Sequence, residues 1–325
     1  MQRRRLTAEQ SAEVLRQEHS EPELLLRVME RCPGWCVVIA LIGGGQEIYD
    51  GEAGLSAWWE ALVGAAGRWT VWVAPEALEG DASVAGQTLF PVGKPTPIDV
   101  RPTTKLHLSV AKRSPRAERY AQWVNHVVAG EADAAASIMA SLERFPILLT
   151  RDLDGAKRLI REYAGESSRY GLVASSGAMR LRSDGVELKR EFRNSLKFPD
   201  WFLRPSGDIR SSNQLEVAAT EFECQGLELD WTLVCWGGDF IPSADSANWL
   251  PRYLYNGGKI GPHWRHERNL AEQEFIRNKY RVLLTRARFG TVIYVPRGSP
   301  TDQTCSPAEF DSVTAFLVRC GLAAA

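Results

Sequence analysis

Two arginines near the C-terminus are the residues best suited to chemistry on a phosphate. Residues 278–287 read N-K-Y-R-V-L-L-T-R-A, so Arg281 and Arg286 lie five positions apart, just before a β-rich run at 291–295. An arginine at the edge of an α/β sheet can place positive charge on a transferring γ-phosphate, because its planar guanidinium stays charged and binds phosphate oxygens in pairs. The pattern therefore predicts a phosphate contact.

A glycine-rich turn follows a continuous apolar run near the N-terminus. Residues 36–42 read C-V-V-I-A-L-I, which is typical of a buried parallel strand, and three glycines and Gln46 follow it. Ligands of open α/β sheets bind beyond the carboxyl ends of strands, where glycines admit a phosphate and an amide can sense it. Gly45 and Gln46 are therefore candidates for a phosphate site. The alternative is a glycine-rich turn with a capping glutamine.

An acidic segment with one glycine lies between two predicted strands. Residues 220–230 read T-E-F-E-C-Q-G-L-E-L-D, between strands predicted at 216–219 and 232–236. Gly226 would permit a tight turn, which would hold the carboxylate of Glu228 where it could accept hydrogen bonds from a ribose or couple to DNA contacts. The alternative is an acidic surface loop.

A basic pair, Lys112 and Arg113, follows a strand predicted at 105–110. A guanidinium at the end of a strand can reach a phosphate with two hydrogen bonds. Arg113 is therefore a third candidate for a phosphate contact. The alternative is that the pair belongs to the solvated start of a helix.

Small hydroxyl residues follow the strand predicted at 171–175. The segment reads A-S-S-G-A-M-R and contains Ser175, Ser176 and Arg180. Small side chains let a nucleic-acid backbone approach closely, and hydroxyls can donate to its phosphates. The segment is thus a candidate for nucleic-acid binding, and an ordinary Ser-Gly turn is the alternative.

Short apolar runs alternate with helical patterns along the chain, which predicts a parallel sheet with helices on both faces. The other predicted strands lie at 69–74 and 146–150. Helices are predicted at 6–31, 54–63, 117–129, 132–142, 152–164, 270–281 and 307–320. A Pro- and Gly-rich stretch at 75–102 is interpreted as a domain connection. An irregular, aromatic-rich insertion is predicted from about 239 to 269.

The bulk composition limits the class of protein. The chain has 325 residues, of which 44% are hydrophobic and 24% charged, and its net charge is −1. This length suffices for two domains with a sizeable core. Because there is no global basic field, nucleic acid would have to bind in a local channel.

Cysteine usage and apolar run lengths bear on the compartment. Six cysteines without a C-x-x-C pair favour buried free thiols in a reducing cytoplasm over a zinc site or disulfides. No apolar run approaches the roughly 20 residues that cross a bilayer, so no membrane contact is expected. We predict a cytoplasmic protein.

Taken in order, these segments resemble motifs III, IV, V and VI of superfamily 1 helicases. Four longer phrases are similar to the Schlafen group 3-like DNA/RNA helicase domain, and the resemblance runs essentially from end to end. The phrases are L-I-G-G-G-Q-E-I-Y-D-G-E-A-G, A-S-S-G-A-M-R-L, A-T-E-F-E-C-Q-G-L-E-L-D-W and Y-R-V-L-L-T-R-A-R.

The resemblance implies an α/β, RecA-like P-loop NTPase fold that binds ATP and Mg²⁺ between two domains. Residues 1–102 would be the C-terminal part of an incomplete first domain, and residues 103–325 the second. Gln46, beside Gly45, would sense the γ-phosphate, and Arg113 would be the motif IV arginine. Gly226 and Glu228 would belong to motif V. Arg286 would be the arginine finger, and Arg281 would make a second phosphate contact.

One part of the family's pattern is missing from the sequence. No G-x-x-x-x-G-K-[ST] phosphate loop occurs in it, and the acidic pair of the family's D-E-A-Q-R motif would fall before Met1. Phosphoryl transfer depends on the lysine and the metal-binding carboxylate. We therefore expect that this chain alone binds ATP and Mg²⁺ weakly and is a very poor ATPase. A gene fragment, a split gene with a separately encoded N-terminal segment as partner, and a misplaced start codon all fit this pattern.

Three functions remain open at this point. The first is the C-terminal portion of an ATP-dependent helicase or translocase that acts on single-stranded or duplex nucleic acid. The second is a non-catalytic module that binds nucleic acid or a protein partner. A nuclease or small-molecule enzyme is the weakest, because the sequence shows no D-x-n-E-x-K core and no Ser/His/Asp arrangement.

Overall fold

The computed structural model describes residues 19–43, 54–81, 84, 87–91, 98–108, 115–142, 145–243, 248–257 and 261–323. The chain divides into two units, Met1–Val110 and Ala111–Ala325. Each unit has its own sheet and its own apolar core.

The first unit contains a pair of parallel strands. Strand β1 (Thr70–Val73) pairs with β2 (Asp99–Pro102) along its whole length. The helices described in this unit are α1 (Glu21–Met29), α2 (Gly54–Gly64) and α3 (Pro75–Glu79). Leu26 of α1, Leu55 and Leu62 of α2, and Val73 of β1 are buried in one cluster. This cluster holds the helices against the strands.

The second unit is built on a five-stranded parallel sheet. Its strands are β3 (Ile147–Thr150), β4 (Tyr170–Ala174), β5 (Ala218–Ala219), β6 (Leu229–Cys235) and β10 (Ala287–Tyr294). Their order across the sheet is β3-β10-β6-β4-β5. The predicted α/β fold with a parallel sheet is confirmed, and this arrangement is compatible with a RecA-like fold.

Helices connect these strands. The longer ones are α4 (Pro115–Ala129), α5 (Ala132–Ala140), α6 (Leu153–Ala164), α10 (Leu270–Leu284) and α11 (Pro307–Arg319). The shorter ones are α7 (Arg190–Asn194), α8 (Phe198–Leu203) and α9 (Glu221–Cys224). Asp152 caps α6, and its side chain accepts from the backbone N–H of Asp154.

The sheet is covered on both faces because alternate residues of each strand point to opposite sides. Val292 of β10 packs in a cluster with Ile160 of α6. Its neighbour Thr291 faces the other way, where its hydroxyl hydrogen-bonds to that of Tyr120 in α4 at 3.0 Å. Burial on both faces explains why the strands read as continuous apolar runs.

The segment predicted as an irregular insertion is a second sheet. Strands β7 (Phe240–Pro242), β8 (Trp249–Tyr255) and β9 (His263–His266) form an antiparallel sheet in the order β7-β8-β9. The prediction of irregular structure was wrong here. The segment contains Pro251, a residue type that is rare inside strands, yet Pro251 lies within β8 opposite Phe240.

The predicted strand at 36–42 is not a strand in the structure. The segment pairs with no other strand among the described residues, and the side chains of Ile39 and Leu41 are each 83% exposed. An apolar run indicates which side chains avoid water, but a strand also requires a partner for its backbone. This prediction was wrong.

One further prediction in the first unit was wrong. The strand expected at 105–110 is not found; the nearest strand, β2, ends at Pro102, and a short 3-10 turn, Thr104–Leu106, follows it. The stretch at 75–102, expected to connect two domains, contains α3 and β2, and the division into domains stays a prediction. Pro75 and Gly80, interpreted as linker residues, instead begin and end α3, because proline fits a first helical turn and Gly80 has φ of 79°.

Four of the six cysteines are buried free thiols, as predicted: Cys224, Cys235, Cys305 and Cys320. Cys32 is exposed and Cys36 is half-buried, so the prediction was wrong for these two. Burial raises the pKa of the Cys224, Cys235 and Cys320 thiols to about 12. Among the described residues, no helix has the length and apolar character needed to cross a membrane.

We expect this burial to divide the thiols into two kinetic classes. At mildly alkaline pH, Cys32 and Cys36 should react with an aromatic disulfide reagent at least about tenfold faster than the buried thiols, because the thiolate is the nucleophile. Absorbance of the released thiol measures both phases. Cys32→Ser should remove one equivalent from the fast phase alone. If all six thiols reacted at the same rate, the burial of Cys224, Cys235, Cys305 and Cys320 would be contradicted.

Candidate functional site

The loops after the parallel strands of the second unit meet at one edge of the sheet. Ser175 follows β4, Thr220 follows β5 and Trp236 follows β6. Because parallel strands all run in one direction, their carboxyl ends share an edge. We call it the carboxyl edge, and the opposite one the amino edge.

Asp239 is the centre of a buried hydrogen-bond network at the carboxyl edge. Its carboxylate is 1% exposed and accepts from the hydroxyl of Ser175 at 2.5 Å and from that of Tyr280 at 2.7 Å. The Tyr280 oxygen in turn accepts from the N–H of Gly237 at 3.1 Å. Burial, reinforced by the negative charge of Asp239, raises the pKa of Tyr280 well above its ordinary value. Tyr280 therefore stays a donor at neutral pH.

Glu221 forms a second buried group beside the first. It is fully buried, and its two oxygens accept from the backbone N–H of Ser176 at 2.9 Å and from the Ser176 hydroxyl at 2.5 Å. The ammonium of Lys279 lies 3.4 Å from the Glu221 carboxylate and donates to the Ser176 hydroxyl at 3.2 Å. A buried carboxylate is thus paired with a cation and hydrogen-bonded, as burial requires.

A capping box fixes the start of α9. The N–H and hydroxyl of Thr220 donate to the carboxylate of Glu223 at 2.7 and 2.6 Å. Arg193 donates to the Thr220 hydroxyl at 2.9 Å and forms an ion pair with Glu223. The T-x-x-E spacing signals such a box in the sequence, whereas the partner Arg193 lies in another segment.

The turn predicted at Gly226 lies at the amino edge. Gly226 has φ of 78°, a left-handed conformation that favours glycine. The guanidinium of Arg286 is almost completely buried against this turn. It donates to the backbone carbonyl oxygens of Val282 at 2.9 Å, Leu227 at 3.2 Å and Cys224 at 3.3 Å. Arg286 therefore holds the turn on both sides of its glycine.

Arg288 lies beside the same turn nearer to solvent, whereas Arg281 contacts side chains of its own helix, α10. Arg288, whose side chain is 57% exposed, lies 3.3 Å from the carboxylate of Glu228 and 3.6 Å from that of Asp230. Arg281 donates to the amide oxygen of Asn278 and lies 3.8 Å from the carboxylate of Glu274.

The structure thus brings the candidate residues together in two groups. Gly226, Glu228 and Arg286 lie at the amino edge, where β6 and β10 begin. Ser175 and Ser176 lie at the carboxyl edge, where each hydroxyl donates to a buried carboxylate. Arg180 forms an ion pair with Asp302. Gly45, Gln46 and Arg113 lie outside the described residues. The functional roles assigned to all of these residues stay predictions.

Sequence reasoning missed Asp239, Glu221, Lys279 and Tyr280 as a group. Lys279 and Tyr280 lie in the same decamer as Arg281 and Arg286, and Asp239 follows two glycines at a strand end, which is a usable signal. Their pairing spans 41 residues or more along the chain. A motif of neighbouring residues therefore does not show that these side chains are hydrogen-bonded to each other.

The charged side chains beside the Gly226 turn can be compared with the groups that ATP and Mg²⁺ require. The exposed guanidinium of Arg288 suits a phosphate, and the carboxylate of Glu228 suits a ribose hydroxyl. Within the part of the chain that the structure describes, no three His, Cys, Asp or Glu side chains form a set able to hold a metal ion. The binding of ATP and of Mg²⁺ to this chain stays a prediction.

Comparison with known proteins identifies the family. Residues 4–297 match the family model of the Schlafen group 3 DNA/RNA helicase domain, which covers most of the 325-residue chain. Neither the comparison with curated proteins nor that with solved structures gave a match. The extent of the match and the α/β architecture agree with the resemblance seen in the sequence. The chain belongs to the Schlafen group 3 DNA/RNA helicase domain family.

Proposed function

We propose that the second unit is the second RecA-like lobe of a superfamily 1-like, ATP-dependent DNA/RNA helicase or translocase. Nucleic acid binds along the carboxyl edge of the five-stranded sheet, and ATP is contacted from the amino edge. ATP, bound with Mg²⁺ against a phosphate loop, supplies the free energy for movement. This chain contributes the residues that fix the loops at these two edges of the sheet.

One observation carries the proposal. Helix α10 reaches both edges of the sheet: Lys279 and Tyr280 bind the carboxylates at the carboxyl edge, and Arg286, just past its end, binds the Gly226 turn at the amino edge. A rigid element that contacts two sites can transmit a shift at one site to the other. Helicases need this connection between nucleotide and nucleic acid.

Individual residues have distinct parts in this proposal. Arg281 and Arg288 face the phosphates, and Glu228 orients the ribose. Arg286 positions the Gly226 turn, and a direct contact of Arg286 with phosphate would require its hydrogen bonds to backbone carbonyls to break. Glu221 and Asp239 fix the loop of Ser175 and Ser176, over which the nucleic-acid backbone passes.

Hydrolysis requires a phosphate loop, which the sequence does not contain. We expect negligible ATPase activity from the chain alone. Adding a separately produced family segment that carries the phosphate loop and the acidic pair should restore nucleic-acid-stimulated ATP hydrolysis. The matched control is the same segment with its phosphate-loop lysine changed to alanine, which should restore none. Failure to recover activity at every ratio of the two chains would count against the motor.

The fixed loop of Ser175 and Ser176 also suits a second candidate function, a module that binds nucleic acid without hydrolysing ATP. Titration of labelled single-stranded DNA and RNA at two salt concentrations separates the candidates, because phosphate contacts make affinity fall as salt rises. Salt-dependent binding without any recovered hydrolysis would favour the module, and absence of binding would exclude both.

A further inference from the structure

The β8–β9 ribbon has two faces of different character. Cross-strand pairs place Tyr253 opposite Arg265 and Tyr255 opposite His263. Directly opposed residues of an antiparallel pair lie on one face, and so do residues two apart along a strand. These four side chains therefore share one face, which we call the outer face. Arg252 and Trp264 lie on the other.

The second face anchors the ribbon to the second unit. The guanidinium of Arg252 is buried, forms two hydrogen bonds to the carboxylate of Glu309 at 2.7 and 2.6 Å, and lies 4.7 Å from the centre of the Trp264 ring. The indole N–H of Trp264 donates to the carbonyl of Thr304 at 2.8 Å. Bidentate pairing and stacking fix both strands, so the outer face is preorganised.

The outer face combines aromatic rings with an arginine. The guanidinium carbon of Arg265 lies 3.5 Å from the centre of the Tyr255 ring, and the Tyr255 and His263 rings are 5.4 Å apart. Nδ1 of His263 donates to the Gly261 carbonyl at 2.9 Å, so its Nε2 accepts from Nε of Arg265 at 3.2 Å. Tyr253 is 42% exposed beside this cluster.

The charge of this surface is positive. Among the described residues, neither Arg265 nor Arg268 forms an ion pair with a carboxylate, whereas the arginine of the anchoring face, Arg252, does. Glu267, the acidic residue between them, accepts from the backbone N–H groups of Arg268 and Asn269. An arginine without an acidic partner, Arg265, next to the exposed ring of Tyr253 suits a ligand that is both anionic and aromatic.

We propose that the outer face, formed by Tyr253, Tyr255, His263 and Arg265, is a stacking site for single-stranded nucleic acid. A base stacks on the exposed ring of Tyr253, and Arg265 binds the adjacent phosphate. Unpaired bases are required because a duplex keeps its base faces stacked on each other. The choice of nucleic acid as ligand rests on the proposed function. The site itself is separate from the Ser175–Ser176 loop.

Fluorescence anisotropy of labelled oligothymidine tests this site. Tyr253→Ala should weaken binding about 5- to 150-fold, the range for loss of one base stack. Tyr253→Phe keeps the ring and should bind like wild type. Arg265→Gln should weaken binding and lower the dependence of log affinity on log salt by about 0.7, the value for one phosphate contact on a single strand.

Matched controls lie on α6, away from the ribbon. Tyr163→Ala removes a tyrosine of similar exposure and Arg158→Ala an exposed arginine, and both should bind like wild type. If wild type binds and Tyr253→Ala binds equally, the ribbon site is wrong and the proposed function stands. If wild type binds no oligonucleotide, both fail. Equal competition by polyglutamate would show a general polyanion surface and overturn stacking.

Discussion

Glu221→Gln will lower the free energy of unfolding by about 3 kcal/mol, because it leaves the largely buried ammonium of Lys279 without its counter-charge. The Glu221 carboxylate is fully buried 3.4 Å from the ammonium of Lys279, whose side chain is 17% exposed. The glutamine oxygen can still accept from the Ser176 N–H, so the change mainly removes the charge. Urea denaturation followed by tryptophan fluorescence measures the loss.

A double-mutant cycle tests whether the charge pair is the cause. Lys279→Met alone should also cost about 3 kcal/mol, since it leaves the carboxylate uncompensated. The double variant Glu221→Gln/Lys279→Met should cost only about 1 kcal/mol, because neither charge then remains in the interior. If the double variant lost as much free energy of unfolding as the two single variants together, the two side chains would act independently. That result would contradict the pairing.

An exposed ion pair provides the matched control. Arg182 lies 3.0 Å from the carboxylate of Glu187, and its side chain is 58% exposed. Arg182→Met should change the free energy of unfolding by no more than about 1 kcal/mol, as expected for surface pairs. A similar loss for Arg182→Met and Lys279→Met would mean that burial does not set the energy of the Glu221–Lys279 pair.

The sequence was most informative where burial alone determines structure. Strands β3, β4 and β6 are buried on both faces of the sheet, so their apolar runs located them within a few residues. The run at 36–42 is equally apolar, yet it has no strand partner among the described residues. An apolar composition shows that the side chains avoid water. A strand also needs a second segment to pair with its backbone, and composition does not identify that segment.

The antiparallel sheet shows that strands also form from segments that are not continuously apolar. Its strands β8 and β9 contain Arg252 and His266, residues that a search for apolar runs passes over. Arg252 is nevertheless buried, because Glu309 and Trp264 supply its hydrogen bonds and its stacking partner. These partners lie in other elements, so the strand pattern became clear only in three dimensions.

The candidate site could be predicted only in part. Gly226 was expected to permit a tight turn, and its left-handed backbone conformation agrees with that expectation. The partners of Asp239 could not be predicted, because Ser175 and Tyr280 reach it from two separate elements. Contacts between distant segments arise from the topology of the sheet, and that topology was not specified by any single motif.

Arg286→Met will destabilise the second unit by about 3 to 5 kcal/mol. The guanidinium of Arg286 is buried and donates to the carbonyl oxygens of Val282, Cys224 and Leu227. Methionine fills much of the same volume but leaves the carbonyls on both sides of the Gly226 turn without these donors. Arg286→Lys should lose nearly as much, because an ammonium cannot reproduce the planar fork of the guanidinium. Urea denaturation of each variant gives the values.

Arg288 is the matched control for Arg286, because it lies two residues further along β10 and is 57% exposed. Arg288→Met should cost less than about 1 kcal/mol. The comparison decides between two roles for Arg286. If it positions the turn, Arg286→Lys loses stability before any nucleotide is present. Unchanged stability of Arg286→Lys, together with loss of ATP hydrolysis in the reconstituted helicase, would instead make Arg286 a direct phosphate ligand and contradict the role assigned from its buried hydrogen bonds.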